Sequence, residues 1–183
     1  MIKGRYTPWD ESALEMKTFE ITEVECGDTD RCIRELKDNG FCQADLIYGR
    51  FPAKNLDLKK IFLRGGYFPC ETSFRVALGD LGGYSLPKSL KRRSVNVSEI
   101  NRSEYATVAD ISRNMFNFTR FHEDPFIPKA LSDNRIHQWV NDLSNQDVTC
   151  LVSRSPSGDI LSFMFYKLEG RNKADLVLGG SKP

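Results

Sequence analysis

The chain has 183 residues, 40% hydrophobic and 28% charged, which suits a globular protein with one substantial core or two small lobes. Its 26 basic and 25 acidic residues nearly cancel, so no overall field attracts nucleic acid or anionic lipid. The N-terminus lacks an apolar leader and no stretch is long enough to cross a bilayer, which predicts a cytoplasmic protein.

The first 80 residues contain a helix–glycine–strand order twice. Asp28 starts the first predicted helix, Gly40 ends it, and CQADLIYGRF (42–51) has the composition of a strand. The second unit has a helical stripe around Ile61, a pair of glycines and the predicted strand FPCETSFRVAL (68–78). Two such units can place their strands side by side under the helices. The alternative is a chance similarity between two ordinary αβ turns.

A linker is predicted at 81–93, between an N-terminal αβ lobe at 1–80 and a second domain at 94–183. The segment is rich in glycine, proline and charge, which is typical of a domain boundary. Its basic cluster, PKSLKRR, is most simply a solvated surface, and a phosphate-binding patch is the alternative.

The second domain alternates between helical and strand patterns, so the fold class is α/β (α+β). The middle strand of its meander, ILSFMFYKL, is apolar on both faces and is predicted to be covered on two sides. The predicted elements are a strand at 94–100, a helix at 101–116, a loop with two prolines at 119–128, a helix with its stripe at Ile136, Trp139, Val140 and Leu143, and strands at 147–154, 160–168 and 174–180.

The cysteine and histidine content points away from a metal site. There are five cysteines without a C-x-x-C pair, which suits reduced thiols packed as small apolar side chains rather than a disulfide framework. With only two histidines, a histidine-rich centre is excluded and no metal is expected. The cysteines are Cys26, Cys32, Cys42, Cys70 and Cys150.

The order of elements after the linker resembles the first two thirds of the GNAT superfamily of N-acetyltransferases. The strings TRFHEDPFIP, SGDILSFMFYKL and ADLVLGGSKP are similar to the type that acetylates dTDP-fucosamine, and PWDESALEMKTFEI, DLIYGRFPA and GYFPCETSFRVAL resemble its extra N-terminal lobe. The resemblance implies the N-terminal portion of a GNAT-like mixed sheet with flanking helices. It also implies direct transfer of an acetyl group from acetyl-CoA to the amine of a nucleotide-linked amino sugar.

The resemblance places acetyl-CoA against the last predicted strand, so Leu178, Gly179 and Gly180 are the expected cofactor contacts. The alternative is that the glycines only form a turn at the strand end. In the family a pyrophosphate-binding loop at a helix N-terminus comes next. That loop would follow Pro183, so we expect the chain to be incomplete, inactive alone, and unpaired along the apolar edge of ADLVLGG.

The loop at 119–128 is the expected acceptor side, because the family places this region over the acceptor cleft. Arg120, Phe121 and His122 are the predicted substrate contacts, with Arg120 suited to a diphosphate and His122 a candidate proton relay. The alternative is that His122 only pairs with a carboxylate. Cys150 lies in a predicted buried strand and is not expected to act as a nucleophile.

Two other functions stay open: a GNAT-like binding module without catalysis, and an acyltransferase that acts on another amine, such as a protein N-terminus. No nucleic acid or membrane partner is expected, and a homodimer remains open.

Overall fold

A computed structural model describes residues 1–38, 40–80, 82–85, 87–88, 96–170 and 172–182. The chain divides into two compact units. The N-terminal unit comprises Met1–Thr72 and Phe118–Arg135, and the C-terminal unit comprises Ser73–Asn117 and Ile136–Pro183. Within the described ranges, no helix is long and apolar enough to cross a membrane.

The N-terminal unit contains a three-stranded sheet with the order β1-β2-β3, in which β1 is antiparallel and β3 parallel to β2. Asp28 begins α2 by accepting hydrogen bonds from the N–H groups of Asp30 and Arg31, and Asn55 caps α3 by accepting from Leu58. The elements are β1 (Ile2–Tyr6), α1 (Pro8–Leu14), β2 (Thr18–Val24), α2 (Thr29–Asp38), β3 (Leu46–Gly49) and α3 (Leu56–Arg64).

One core cluster of this unit lies between the sheet and two helices. The helical residues repeat at three to four positions, as an amphipathic helix requires, and they meet the inward face of β2. This confirms the predicted helices around Asp28 and Ile61 and the strand within CQADLIYGRF. The buried members are Phe19, Ile21, Cys32, Ile33, Leu36 and Ile61.

The second predicted strand, FPCETSFRVAL, does not form, so the predicted repeat of two helix–strand units is wrong. Residues 68–78 are irregular, and Phe74 and Val76 are 86% and 90% exposed. The side chains alternate as they would in a strand, but no described strand pairs with them. Alternation reports which face a side chain would take, whereas a strand also needs a neighbour for its backbone.

The division into units differs from the predicted contiguous domains, since residues 118–135 pack with the N-terminal residues. Phe121 and Ile127 form a second buried cluster with Leu14, against which Leu46 and Tyr48 also pack. Much of the predicted linker, namely residues 81, 86 and 89–93, lies outside the described residues.

The C-terminal unit contains a four-stranded antiparallel sheet with the order β4-β5-β6-β7. The carboxylate of Glu104 accepts from the backbone N–H of Asn101 at 3.2 Å, so the helical segment begins at the residue where the predicted helix 101–116 starts. The elements are β4 (Asn96–Glu99), α4 (Tyr105–Arg113, after a 3₁₀ turn at Arg102–Glu104), α5 (Lys129–Ser144, which enters this unit at Ile136), β5 (Thr149–Arg154), β6 (Ile160–Leu168) and β7 (Ala174–Ser181).

Helices α4 and α5 cover one face of this sheet. Phe163 and Phe165 on β6 are almost fully buried there, whereas Leu161 and Leu168 are 42% and 64% exposed. The prediction that β6 is covered on two sides is therefore wrong for the described residues. A register shift between Ser153 and Arg154 leaves Leu161 without an opposite residue on β5, which accounts for the exposure of Leu161.

The expectation of five reduced cysteines is also wrong. Cys26 and Cys32 form a disulfide whose Cα atoms lie 6.2 Å apart. Cys42, Cys70 and Cys150 are free thiols. Cys26 lies in the short connection after β2, and Cys32 lies in the first turn of α2. Asp28 caps this helix between the two cysteines.

Candidate functional site

The edge of the C-terminal sheet is formed by β7, which pairs with β6 and with no other described strand. The N–H of Lys182 donates to the carbonyl of Leu161 at 2.8 Å, which makes Ser162 and Ser181 a pair without mutual hydrogen bonds. Because an antiparallel ladder alternates, the backbone N–H and C=O groups of Gly179 and Ser181 point away from β6. The expected open edge along ADLVLGG is confirmed within the described residues.

A bulge interrupts β7 just before these residues. Phe165 pairs with Leu178, but Tyr166 pairs with Leu176, so Val177 has no opposite residue on β6. A bulge of this kind bends a strand and increases its twist locally. It therefore separates the outward backbone groups of Gly179 and Ser181 from the regular first half of the strand.

Gly179 and Gly180 sit where side chains have little room. A Cβ atom at Gly179 would lie 2.5 Å from Cε of Met164, and one at Gly180 would lie 3.2 Å from Cε of Met115. The two glycines thus keep β7 close to the side chains on both faces of the sheet. They are strand residues, so the alternative of a simple turn at the strand end does not hold.

An open groove of about 410 Å³ lies on the sheet beside this edge. The hydroxyl oxygens of Ser153 and Ser162 lie 2.6 Å apart and supply the polar part of a surface that is otherwise mainly apolar. Residues lining the groove include Val97, Leu151, Ser153, Ser162, Met164 and Ser181. The groove and the outward backbone therefore share Ser181.

Of the three cofactor contacts predicted on β7, only Gly179 presents its backbone to the open edge. Leu178 and Gly180 are directed toward β6 by the alternation of the ladder. Ser181 was missed, although it lies two residues after Gly179 and thus on the same side of the strand.

In the N-terminal unit, the guanidinium of Arg120 lies over two aromatic rings. Its central carbon is 4.6 Å from the ring centroids of both Tyr48 and Phe121. Its Nε is buried without a hydrogen-bond acceptor among the described residues. Glu71 accepts from the backbone N–H of Arg120 at 3.0 Å and forms no ion pair with the guanidinium.

His122 is enclosed and has both ring nitrogens in use. Its Nδ1 lies 2.7 Å from the hydroxyl of Thr119 and its Nε2 lies 3.0 Å from Asp133, with the side chain only 3% exposed. Burial opposes ionisation of Asp133, but hydrogen bonds from Lys129 and His122 outweigh it and lower the pKa of the carboxyl. This arrangement leaves the imidazole no free nitrogen for a substrate.

Phe121 is 6% exposed, and its carbonyl accepts from the hydroxyl of Ser132 at 2.7 Å. The loop thus brings Arg120, Phe121 and His122 together, but they differ in what they offer. Among the side chains of these three predicted contacts, Arg120 alone has a nitrogen without a hydrogen-bond acceptor in the described part of the chain.

A buried polar network next to this loop was not predicted. Asp10 is fully buried in α1, where it pairs with Arg135 of α5 and accepts from the hydroxyl of Tyr48. The hydroxyls of Thr7 and Thr18 lie 2.6 Å apart and continue the network. Burial and the hydrogen bond to Asp10 raise the pKa of Tyr48, so its phenol stays neutral and its ring is fixed in place beneath Arg120.

Cys150 is buried in β5, and burial raises the pKa of its thiol to about 12. A thiol in this state is a poor nucleophile at neutral pH.

Comparison of the sequence with protein-family models and with curated proteins gave no match.

Proposed function

We propose that the protein is a GNAT-type N-acetyltransferase that transfers an acetyl group from acetyl-CoA directly to the amine of a nucleotide-linked amino sugar. The observation that carries the proposal is the open edge of β7, where a bulge at Val177 precedes the outward backbone groups of Gly179 and Ser181. A pantetheine arm is an extended chain with amide groups, and it can pair with such an edge as a peptide strand does.

The chemistry needs few side chains. The amine attacks the thioester carbonyl, a new C–N bond forms, and the C–S bond breaks to release the thiolate of coenzyme A. An outward N–H on β7 stabilises the negative charge that develops on the carbonyl oxygen. The amine proton leaves through water, since both nitrogens of His122 are engaged.

On the acceptor side, we propose a contact through Arg120. The burial and hydrogen bonds of Phe121 and His122 give these two residues the task of holding the loop. A role for His122 as the catalytic base would require its bonds to Thr119 and Asp133 to break.

The same edge also supports a second function, a binding module that recognises a ligand or partner without catalysis. An unpaired strand edge binds an extended peptide by adding it to the sheet. The exposure of Leu176, 70%, favours this alternative, since an apolar side chain beside a free edge adds contact area.

We also propose a cytoplasmic location, where acetyl-CoA and nucleotide sugars would be used. The Cys26–Cys32 disulfide is the observation against it, because such bonds are rare in a reducing compartment. Counting the free thiols in protein isolated with alkylating agent and without reductant decides the point: five support the proposal and three contradict it.

Calorimetric titration with acetyl-CoA tests the cofactor contact. Substitution S181P removes an outward N–H without removing a ladder bond, and S181A keeps that N–H and serves as the matched control. We expect S181A to bind as the unmodified protein does and S181P to bind up to about tenfold more weakly, the value of one hydrogen bond. Equal binding by both variants, or no binding at all, contradicts the proposal.

Release of coenzyme A thiol then separates the candidate functions. In a protein that continues past Pro183 with the pyrophosphate-binding loop that the resemblance implies, a dTDP-linked amino sugar should accelerate the release, whereas a peptide with a free N-terminus should not. Acceleration by the peptide alone assigns a different amine. Binding of acetyl-CoA without release in either case favours the binding module.

A further inference from the structure

The guanidinium of Arg120 forms no ion pair with a carboxylate among the described residues. Two carboxylates near the loop and the start of α5 are already committed: Asp10 pairs with Arg135, and Asp133 pairs with Lys129 and His122. Arg120 forms an ion pair with neither of them. Glu123 and Asp124, from the same loop, form no ion pair with it in the described structure.

The position of Arg120 is nevertheless well fixed. The rings of Tyr48 and Phe121 hold the guanidinium by cation–π contacts, and Tyr48 is itself held by its hydroxyl bond to Asp10. The backbone N–H of the same residue is bound to Glu71. An arginine held this rigidly loses little conformational freedom when it binds a ligand.

The guanidinium of Arg120 keeps hydrogen-bonding capacity in the part of the chain that the structure describes. Its Nε is covered and lacks an acceptor there, and its terminal nitrogens are not engaged by the neighbouring carboxylate of Asp133. Because Nε is covered by protein, a ligand reaches the guanidinium through its terminal nitrogens. The interaction that satisfies a planar guanidinium best is a bidentate bond to an oxyanion.

We propose that Arg120, on the shelf formed by Tyr48 and Phe121, is a receptor for one oxyanion group of a ligand, a phosphate or a carboxylate. The site binds through the guanidinium, because Phe121 is buried and the hydroxyl of Tyr48 is already bonded to Asp10. The inference deepens the acceptor side of the proposed function and rests on it for the identity of the ligand. Anion binding itself can be measured without acetyl-CoA.

Arg5 offers a matched control within the same unit. Its guanidinium also lies near an aromatic ring, 5.6 Å from the centroid of Trp9, but it is paired with Glu20 at 2.8 Å. Arg5 therefore shares the cation–π contact of Arg120 and lacks its free charge.

Calorimetric titrations of the whole chain with inorganic pyrophosphate, dTDP and citrate, without acetyl-CoA, test the inference. Substitution R120Q should weaken binding of the preferred anion by at least about tenfold, the effect of losing a charged hydrogen bond, and R5Q should leave it unchanged. R120K keeps the charge but not the planar fork, so it should fall between the two. Circular dichroism of each variant checks that it is folded.

The three anions distinguish the sources. Equal binding of pyrophosphate and dTDP with loss in R120Q assigns the phosphate groups, and binding of citrate alone with the same loss assigns a carboxylate ligand. The inference is overturned if the unmodified protein binds none of the three at millimolar concentration, or if R120Q binds as well as R5Q. Failure here leaves the effect of S181P on acetyl-CoA intact, so the two proposals fail separately.

Discussion

Different interactions stabilise the interior of each unit. The N-terminal unit buries a charged pair, Asp10 with Arg135, and orients Tyr48 on it, while the C-terminal unit buries the aromatic side chains Phe163 and Phe165 on β6. Apolar packing depends on volume, whereas a buried ion pair is stable only when both charges and their hydrogen bonds are present. The difference teaches that the N-terminal unit is sensitive to the loss of one charge in addition to changes in its apolar core, whereas the C-terminal unit depends mainly on the volume of its buried side chains.

The largest effect is expected for F165A in the C-terminal unit. Phe165 is fully buried, so the cavity and the lost transfer free energy together should lower the free energy of unfolding by about 4 kcal/mol. Urea unfolding followed by the fluorescence of Trp139, in a W9F background, measures it. L161A, at a position 42% exposed, is the control and should cost below about 1 kcal/mol. Equal losses in both variants would contradict the difference in burial between Phe165 and Leu161.

The next effect is expected for D10N in the N-terminal unit. The amide removes the negative charge that pairs with the buried guanidinium of Arg135, which should cost about 3 kcal/mol. Unfolding followed by Trp9 fluorescence, in a W139F background, measures the loss. E20Q removes the partner of Arg5 in an exposed pair and should change the free energy by less than about 1 kcal/mol. A D10N variant as stable as E20Q would refute the view that matched charge holds this unit.

A smaller effect is expected for C26S. The disulfide with Cys32 closes a short loop, so its removal should cost about 2 kcal/mol through the freedom gained by the unfolded chain. Adding reductant to the unmodified protein should cause the same loss. The control is C42S, which removes a free thiol and should respond to reductant as the unmodified protein does. If reductant leaves the unfolding midpoint of the N-terminal unit unchanged, the bond does not stabilise it.

The smallest effect is expected in acid. The pKa of Asp133 is lower in the folded chain than its ordinary value of 3.8, so its stabilising contribution is complete above that value and is lost as the pH falls through the folded pKa. The urea midpoints of the N-terminal unit should therefore differ between D133N and the unmodified protein at pH 6. The difference should be smaller at pH 3. A gap between them that is constant over this range contradicts the assignment.

The sequence predicted the elements whose periodicity matches their burial. Helix α5 has Ile136, Val140 and Leu143 at core spacing, and the meander of β5, β6 and β7 has turn residues between apolar runs. Strand β1 escaped prediction because it is largely polar and exposed, and cross-strand ion pairs such as Arg5 with Glu20 help to hold it.

The candidate site was predictable only in part, since its chemistry depends on contacts between distant residues. Arg120 could be singled out from its loop, but whether its charge is free depends on Asp10 and Arg135, which are 125 positions apart in the chain. Gly179 could be placed on β7, but the side of the strand that its backbone faces follows from the register with β6. Local pattern carries neither kind of information.

Hydrogen exchange at four consecutive amides, measured by NMR with and without acetyl-CoA, tests the account most directly. In the free protein, Leu178 and Gly180 should exchange slowly because they bond to β6, whereas Gly179 and Ser181 should exchange at least about tenfold faster. Acetyl-CoA should slow exchange at Gly179 and Ser181 alone. Protection of all four amides in the free protein, or no response to acetyl-CoA, would contradict an open β7 edge that holds the thioester.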